Sequence, residues 1–259
     1  MKKWTITLGV ISMFDALYER QRIVRWIQDW FNENGKTASA VIGISGGKDS
    51  TIVAALLVEA LGKDRVVGVL MPNGTQNDIV DSHCVVNRLN IRNCLININP
   101  MFNSIKYELT KNVTSLLPQD TIINIAPRIR MTLLYAIAQS LPKGGRVANT
   151  CNKSEDYIGY STKYGDSAGD FAPIADYTKT EVVEIGKTFQ DIPERLMVKA
   201  PSDGLCGYTD EERFGFTYDI LDKYIREGNC DDEDVKQKID AMHKTNLHKL
   251  LPIPVCKYQ

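Results

Sequence analysis

The chain has 259 residues, 43% of them hydrophobic and 24% charged, and a formal net charge of -1 at pH 7. This balance is ordinary for a globular protein with one large core, and it gives no electrostatic reason to expect nucleic acid as a general partner. No apolar run approaches the ~20 residues of a membrane-spanning helix, so no membrane partner is predicted.

Cysteine usage bears on the compartment. The six cysteines are irregularly spaced and form no CxxC pair, which predicts free thiols in a reducing compartment rather than disulfides or a zinc site. Lys2 and Lys3 precede an uncharged stretch at 4–14 that faintly resembles a signal peptide. No small-residue cleavage site follows, and an amphipathic pattern begins at Asp15. We therefore expect a cytoplasmic protein.

Helical and strand patterns alternate over the first 150 residues. An apolar stripe predicts a helix over 15–34, and short apolar runs predict strands at 39–44, 65–71, 94–98 and 146–149. Further helices are predicted at 50–61, 78–89 and 121–141, with Pro127 as an alternative start of the last and Pro100 opening another. This alternation favours an α/β fold with a doubly wound, mostly parallel sheet and helices on both faces.

The second half begins differently. Residues 150–177 are polar, rich in glycine and hydroxyls, and lack strong periodicity, which is typical of a functional loop region. Helices are predicted at 178–188, 217–227 and 231–244, with another loop region at 201–212. The chain contains no internal repeat and no low-complexity segment.

Residues 41–56, VIGISGGKDSTIVAAL, place a small-residue turn between a strand and a helix. Gly46 and Gly47 can turn tightly and leave their N–H groups unhindered. The helix start adds unpaired donors and the positive end of its dipole, and Ser45 and Ser50 add hydroxyls. The stretch therefore predicts a phosphate-binding loop.

Spacing excludes the two most familiar phosphate loops. The NTPase pattern GxxxxGK[ST] fails at Ile42 and Asp49, and the dinucleotide pattern GxGxxG fails at Ser45. Asp49 is then the informative residue. Its carboxylate would repel a polyphosphate unless a cation, usually Mg²⁺, lies between them. Equally, Asp49 could simply cap the helix that follows.

The hexapeptide SGGKDS resembles the SGGxDS loop of ATP pyrophosphatases, which cleave ATP between the α and β phosphates and adenylate a substrate. Further stretches are similar, in order and spacing, to ammonia-dependent NAD synthetase: NIAPRIRMTLLYAIA (124–138), TCNKSEDYIGYSTKYGDSAGDFAP (150–173), DYTKTEV (176–182) and KAPSDGL (199–205). The resemblance covers nearly the whole chain. It implies one synthetase domain over residues 1–259, with a five-stranded sheet of the adenine nucleotide alpha-hydrolase-like type.

In that family the carboxylate of deamido-NAD attacks the α-phosphorus of ATP, pyrophosphate leaves, and ammonia then displaces AMP to give NAD. The resemblance implies the same carbon–nitrogen ligase reaction here, with ATP as co-substrate, Mg²⁺ as cofactor and a homodimer as the active unit. The alternatives are a divergent ATP pyrophosphatase that amidates or thiolates another substrate, and a non-catalytic nucleotide-binding sensor. The near-neutral charge argues against a tRNA substrate.

The matching positions imply roles for individual residues. The ATP site would comprise Gly43, Ser45, Gly46, Gly47, Lys48, Asp49, Ser50, Thr150, Lys179 and Ser202. The Mg²⁺ ligands would be Asp49 and Glu155. The deamido-NAD site would comprise Asn124, Arg128, Tyr135, Lys163, Asp166, Asp170, His248 and Lys249. Asp49, Lys163 and Lys179 would act in catalysis.

Some of these residues have plainer interpretations. Lys163, Lys179, Arg128 and Glu155 could be solvated surface residues, as most charged residues are. The stretch HKTNLHK also offers His243-Lys244 as a rival to His248-Lys249.

Three positions depart from the family pattern. Asn149 stands where many relatives have glycine, Leu70 replaces an arginine that contacts ATP, and Arg213 replaces an acidic residue near the dinucleotide. These differences allow a relative that amidates another carboxylate.

Overall fold

The computed structural model describes residues 14–76, 79–198 and 210–258. Ser202 and the signal-peptide-like stretch before residue 14 therefore lie outside the described residues. The elements are, in chain order, α1 (Ala16–Asn34), β1 (Ser39–Gly43), α2 (Lys48–Leu61), β2 (Val66–Leu70), α3 (Ile79–Arg88), β3 (Arg92–Leu95), α4 (Asn99–Asn112), α5 (Gln119–Ser140), β4 (Gly145–Val147), α6 (Lys153–Ile158), α7 (Lys179–Lys187), α8 (Glu194–Val198), α9 (Asp210–Phe214), α10 (Tyr218–Glu227) and α11 (Glu233–Leu250).

The predicted doubly wound parallel fold is confirmed, with one strand fewer than expected. Within the described ranges the sheet has four parallel strands in the order β3-β2-β1-β4. Beyond β4, Phe171 forms a single parallel bridge with Ala148. Pro173 has no N–H with which to continue that ladder, so the pairing does not extend beyond this bridge.

Alternate strand residues face two separate cores. Ala40 and Ile42 of β1 pack with α1, α2 and α7, whereas Val41 packs with α4 and α5 on the opposite face. Because β1 and β2 are buried on both faces, they appear in the sequence as continuous apolar runs. A third apolar cluster, around Ile158 and Leu221, joins α6, α9, α10 and α11.

Several helix boundaries differ from the prediction, and the physical reason is clear at three of them. Helix α2 begins at Lys48, two residues early, because Gly47 is its N-cap. Helix α5 starts at Gln119 and continues through Pro127, since apolar residues on both sides of the proline pack onto the sheet. Helix α11 continues to Leu250, and the proline at position 252 then stops it.

Two expectations about composition can be compared with the described part of the chain. No helix there has both the length and the apolar character that crossing a membrane requires. The cysteines in those ranges carry free thiols, as predicted: Cys84, Cys94, Cys151, Cys230 and Cys256.

Candidate active site

A cavity of about 600 Å³ lies at the carboxyl ends of β1, β2 and β4. Open parallel α/β sheets bind their ligands at this edge. Most residues predicted at the nucleotide line the cavity, namely Gly43, Ser45, Gly47, Lys48, Asp49, Ser50, Thr150, Glu155 and Lys179. Gly46 belongs to the same loop but is buried and is not among the lining residues.

The loop after β1 is shaped by its own small residues. Gly46 has φ +78°, and a Cβ at this position would lie 2.9 Å from the backbone N of Ser82, so only glycine fits without strain. Gly47 N–H donates to Ser45 Oγ at 3.1 Å, and the hydroxyls of Ser45 and Ser50 lie 3.0 Å apart. The loop therefore holds its turn by internal hydrogen bonds.

Asp49 does not cap its own helix. It lies in the first turn of α2, where the N-cap Gly47 offers no side chain. Its Oδ2 accepts from Lys179 Nζ at 2.6 Å, and its Oδ1 lies 3.5 Å from Asn152 Nδ2. The helix-cap interpretation is therefore wrong, because the carboxylate is directed at residues of other elements.

Lys179 joins two carboxylates. Its Nζ lies 2.6 Å from Asp49 Oδ2 and 2.8 Å from Glu155 Oε1. Lys179 is only 3% exposed, and the side chains of Asp49 and Glu155 are 18% and 17% exposed. The interpretation of Lys179 and Glu155 as solvated surface residues is therefore wrong, because both side chains are largely shielded from solvent. Their charges are instead stabilised by pairing with each other and with Asp49.

Burial and charge compete in this triad of Asp49, Lys179 and Glu155. Burial alone would lower the pKa of Lys179, but the two carboxylates raise it above its ordinary value, so the residue is an ammonium. Burial raises the pKa of Glu155 to about 7, against the opposing effect of Lys179. The carboxyl group of Glu155 therefore exchanges its proton near neutral pH.

The oxygen atoms of the triad suit a hard cation. Mg²⁺ is usually held by one or two carboxylates together with substrate phosphates and water. Asp49 and Glu155 direct carboxylate oxygens at one point, which the Lys179 ammonium occupies. Within the described ranges, no group of three or more His, Cys, Asp or Glu side chains could hold a metal ion. Asp49 and Glu155 therefore fit a cation whose remaining ligands would come from nucleotide phosphates and water.

The residues predicted for the acid substrate divide between cavity and surface. The cavity lining includes Asn124, Asp166 and Lys249. It does not include Arg128, Tyr135, Lys163, Asp170 and His248.

Neighbouring groups hold the residues that lie outside the cavity. Arg128 is exposed, and its Nε donates to Lys163 O at 3.4 Å. Lys163 Nζ in turn donates to His248 O at 2.8 Å. Asp170 Oδ2 accepts from Val147 N–H at 2.8 Å and so anchors β4.

The histidine–lysine pairs are distinguished by their contacts. His243 stacks on Tyr157, with ring centroids 4.3 Å apart, and its Nδ1 lies 2.6 Å from Tyr157 O. His248 is exposed. Lys249 lines the cavity, and its Nζ donates to Gly159 O at 2.8 Å. The structure thus brings the lysine of the second pair into the cavity and leaves the histidine of the first pair in the helical packing.

A sequence model of the NAD synthase family matches residues 19–252 of the chain. The chain belongs to the NAD synthase family. The suspected family is thereby confirmed.

Individual relatives agree with this assignment. The chain is 41% identical over 210 residues to the NH(3)-dependent NAD(+) synthetase of Pyrococcus horikoshii, covering 81% of this chain and 79% of that protein. The NMN synthetase structure from Francisella tularensis superposes with a TM-score of 0.85 at 31% identity, covering 95% and 100% of the two chains. The NH3-dependent NAD synthetase structure from Campylobacter jejuni gives a TM-score of 0.75 at 26% identity, covering 94% and 100%.

Several residues that line the cavity of this NAD synthase family member were not predicted from the sequence, and Arg130 is one of the charged ones. Arg130 lines the cavity, and its Nε donates to Met71 O at 3.1 Å. Arg128 and Arg130 lie two residues apart on α5, so their side chains point about 200° apart around the helix. The stripe through Ile125 and Ile129 does not single out Arg130, because on an ideal helix Arg128 lies about 80° from its centre and Arg130 about 120°. The sequence thus carries no local signal for Arg130.

The three departures from the family pattern have different consequences. Leu70 is fully buried in the core, so it does not face the cavity, whereas its neighbour Met71 does. Arg213 lines the cavity and donates to Tyr160 OH at 3.2 Å. Of these two positions, only Arg213 can alter the shape or charge of the site directly.

Asn149 organises the loop that carries Asp166. Its Nδ2 donates to Asp166 O at 3.0 Å and Ala168 O at 3.3 Å, and its Oδ1 accepts from Cys151 N–H at 2.8 Å. A Cβ at Gly169 would lie 2.7 Å from Asn149 Cβ, so a glycine is required where this side chain packs. The side chain thus connects the end of β4 with the predicted substrate loop.

Proposed function

We propose that this protein amidates the nicotinate carboxylate of deamido-NAD with ammonia, at the expense of ATP, and releases AMP and pyrophosphate. The carrying observation is the buried triad of Asp49, Lys179 and Glu155 beside the glycine-rich loop, in a member of the NAD synthase family. A free carboxylate is a poor acyl donor to ammonia at neutral pH, because its charge and its oxide leaving group resist nucleophilic attack. Adenylation gives it a good leaving group, which is the chemical reason for the use of ATP.

The phosphate end of the cavity would bind the pyrophosphate that leaves. The loop from Gly43 to Ser50 would surround the β and γ phosphates, and Thr150 at the end of β4 would contact the nucleotide. Asp49 and Glu155 would hold Mg²⁺, which supplies neutralisation of the polyphosphate charge when bound. Lys48 lines the same region.

Lys179 has two roles in this proposal. With no nucleotide bound, its ammonium balances the charge of two buried carboxylates. When Mg-ATP binds, Lys179 would give up at least one of these bonds and pair with a phosphate oxygen. The charge of the site would remain balanced in both conditions, and the preorganised ammonium would stabilise charge that moves toward the leaving pyrophosphate.

The other end of the cavity would bind the acid. Asn124, Asp166 and Lys249 line it, and Arg130 adds a guanidinium close to the end of β2. A cation near this end would attract the carboxylate and hold it in line with the α-phosphorus. Apolar residues of α5, such as Leu134, also line the cavity and would limit the entry of water to the adenylate.

The active unit would be a homodimer of cytoplasmic chains, each with a single synthetase domain over residues 1–259. Several predicted acid-binding residues lie outside the cavity of their own chain. In a homodimer they could instead contact substrate bound in the cavity of the partner chain. The α4–α5 region also exposes Tyr107 and Leu116, which are 60% and 82% exposed. Light scattering coupled to gel filtration tests the dimer, and a monomer that is fully active would exclude it.

One observation favours a second substrate. The NMN synthetase structure from Francisella tularensis has a TM-score of 0.85, against 0.75 for the Campylobacter jejuni NAD synthetase. Nicotinate mononucleotide carries the same carboxylate as deamido-NAD and lacks the adenylate half. The same phosphate end could therefore adenylate it without any change of chemistry.

One assay separates these possibilities. The protein is incubated with Mg-ATP and ammonium, together with deamido-NAD, nicotinate mononucleotide or no acid, and pyrophosphate, AMP and the amide product are measured. We expect pyrophosphate and NAD to appear with deamido-NAD. A higher kcat/KM with the mononucleotide would favour the second substrate. Pyrophosphate release that ignores both acids would overturn both, and ATP binding without turnover would indicate a sensor.

A further inference from the structure

A buried carboxylate from α10 lies behind the triad. Asp222 is 4% exposed. Its Oδ1 accepts the hydroxyl proton of Ser154, and its Oδ2 accepts from Thr180 N–H at 2.8 Å. Ser154 Oγ also accepts from Lys179 N–H at 2.9 Å. One side chain is thus bonded to the first turns of both α6 and α7.

These bonds are made next to the functional residues. Ser154 immediately precedes Glu155 on α6, and Thr180 immediately follows Lys179 on α7. The 2.8 Å contact between Lys179 Nζ and Glu155 Oε1 depends on how the two helix starts are placed. Helix α6 has only 6 residues, so its orientation is set by tertiary contacts rather than by its own length.

The packing of α10 does not require this carboxylate. Apolar residues already join α10 to α6 and α11, including Leu221, Ile158 and Ile239. A buried carboxylate is costly unless hydrogen bonds or a helix N-terminus stabilise it, and Asp222 has both at α7. Its placement is therefore explained better by the need to join two helix starts than by packing alone.

We propose that Asp222 is a positioning residue for Mg-ATP binding, because it sets the separation of Glu155 and Lys179 by joining α6 to α7. Asp222 is absent from the residues that line the cavity, so it acts through other groups. The inference rests on the proposed function for the identity of the nucleotide. It does not depend on which acid is amidated.

The test variant is Asp222→Asn, which preserves the shape of the side chain. An amide has one acceptor oxygen and one donor group, so either Ser154 or Thr180 would lose its acceptor. The matched control is Arg226→Gln. Arg226 also links α10 to α7, with its Nε 2.8 Å from Glu181 Oε1, but it does not touch the residues beside the triad.

The first measurement is calorimetric titration with Mg-ATP, accompanied by urea unfolding of each protein. We expect Asp222→Asn to raise the Kd for Mg-ATP roughly ten- to a hundredfold, because small misplacements of binding groups have effects of this size. We expect Arg226→Gln to change the Kd less than about twofold, even if it lowers the free energy of unfolding as much as Asp222→Asn does. In turnover, Asp222→Asn should raise the KM for ATP more than the KM for the acid.

A double variant tests whether the effect passes through the triad. If Asp222 acts by placing Lys179, then Asp222→Asn should change the Kd less than about twofold in a Lys179→Met background. The inference would be overturned if Arg226→Gln weakened Mg-ATP binding as much as Asp222→Asn, or if Asp222→Asn bound Mg-ATP with wild-type affinity. It would also be overturned if the effects of Asp222→Asn and Lys179→Met on the Kd were fully additive. Should Asp222→Asn fail to fold, Ser154→Ala removes the bond between Asp222 and α6, together with the acceptor of Lys179 N–H, and keeps the bond between Asp222 and Thr180. It should weaken Mg-ATP binding in the same direction, and unchanged affinity would overturn the inference.

Failure of the proposed function gives a different result. A wild-type protein that does not bind Mg-ATP would contradict the function itself. A wild-type protein that binds Mg-ATP, with variants that bind it equally well, would contradict only the role of Asp222.

Discussion

The two ends of the cavity are built differently. At the phosphate end, Asp49, Glu155 and Lys179 come from three helices and meet within 2.6 to 2.8 Å with little exposure. At the acid end, Asn124, Asp166 and Lys249 line the cavity, but most of the other predicted residues bond to one another outside it. One chain thus brings together the residues proposed to bind the nucleotide and leaves most of those proposed to bind the acid outside the cavity.

The topology explains this difference. The phosphate end lies where β1 and β4, which are neighbours in the sheet, both end, so residues that follow those strands are brought together. The acid end is formed by α5, by the loop after α6 and by the end of α11. Loops and helix ends are placed by surface contacts, which a second copy or a bound substrate can change.

The largest expected effect is on the free energy of unfolding, which a substitution at the phosphate end should lower far more than one at the acid end. Lys179→Met leaves Asp49 and Glu155 buried without their cation, and we expect the free energy of unfolding to fall by about 3–5 kcal/mol at pH 8. Lys163→Met at the acid end should change it by less than about 0.5 kcal/mol. Urea unfolding measures both. Equal effects of the two substitutions would contradict the comparison.

The loss in Lys179→Met should depend on pH. Burial places the folded-state pKa of Glu155 at about 7, above its ordinary value of 4.5, and loss of the neighbouring ammonium raises that pKa further. A group whose folded-state pKa is raised contributes most below its unfolded-state pKa, and that contribution is lost as the pH rises. The variant should therefore be less impaired at pH 5 than at pH 8.

The next prediction concerns turnover at the phosphate end. We expect Asp49→Asn to fold normally and to lose roughly 10²- to 10³-fold in Mg-dependent pyrophosphate release, since an amide cannot supply the charge that a bound cation needs. The measurement is a Mg²⁺ titration of the initial rate. A fully active variant would mean that Asp49 does not hold the cation.

A smaller effect distinguishes two arginines at the acid end. Arg130 lines the cavity, whereas Arg128 is exposed. We expect Arg130→Met to raise the KM for the acid roughly tenfold, and Arg128→Met to raise it less than about threefold. A larger effect at Arg128 would indicate that a second chain brings this surface into contact with the substrate. That outcome would still agree with an acid end that one chain leaves incomplete.

The smallest effect is expected at the junction of the two ends. Asn149→Ala removes the donors to Asp166 O and Ala168 O, and we expect a loss of about 1–2 kcal/mol in stability. The KM for the acid should rise more than the KM for ATP, because Asp166 lies on the loop that is released. Equal changes in both KM values would place Asn149 in the general scaffold.

Much of the fold could be predicted from local pattern, and parts of the site could not. Apolar periodicity identified α1, β1 and β2 because each element buries a regular face. Pro127 suggested an alternative start for α5, whereas packing of Ile125 and Ile129 holds the helix across that proline. The resemblance implied a fifth strand, whereas the described residues form four strands and a single bridge at Phe171, which Pro173 does not extend.

The sequence by itself determined the phosphate loop, the parallel α/β class and the resemblance to a family, because these depend on residues that are close in the chain. Tertiary structure decided which side chains meet. Asp49 and Lys179 are 130 residues apart and form a 2.6 Å ion pair, a contact that no local spacing encodes. It also chose Arg130 over Arg128, because the direction of a side chain depends on which face of its helix the sheet covers.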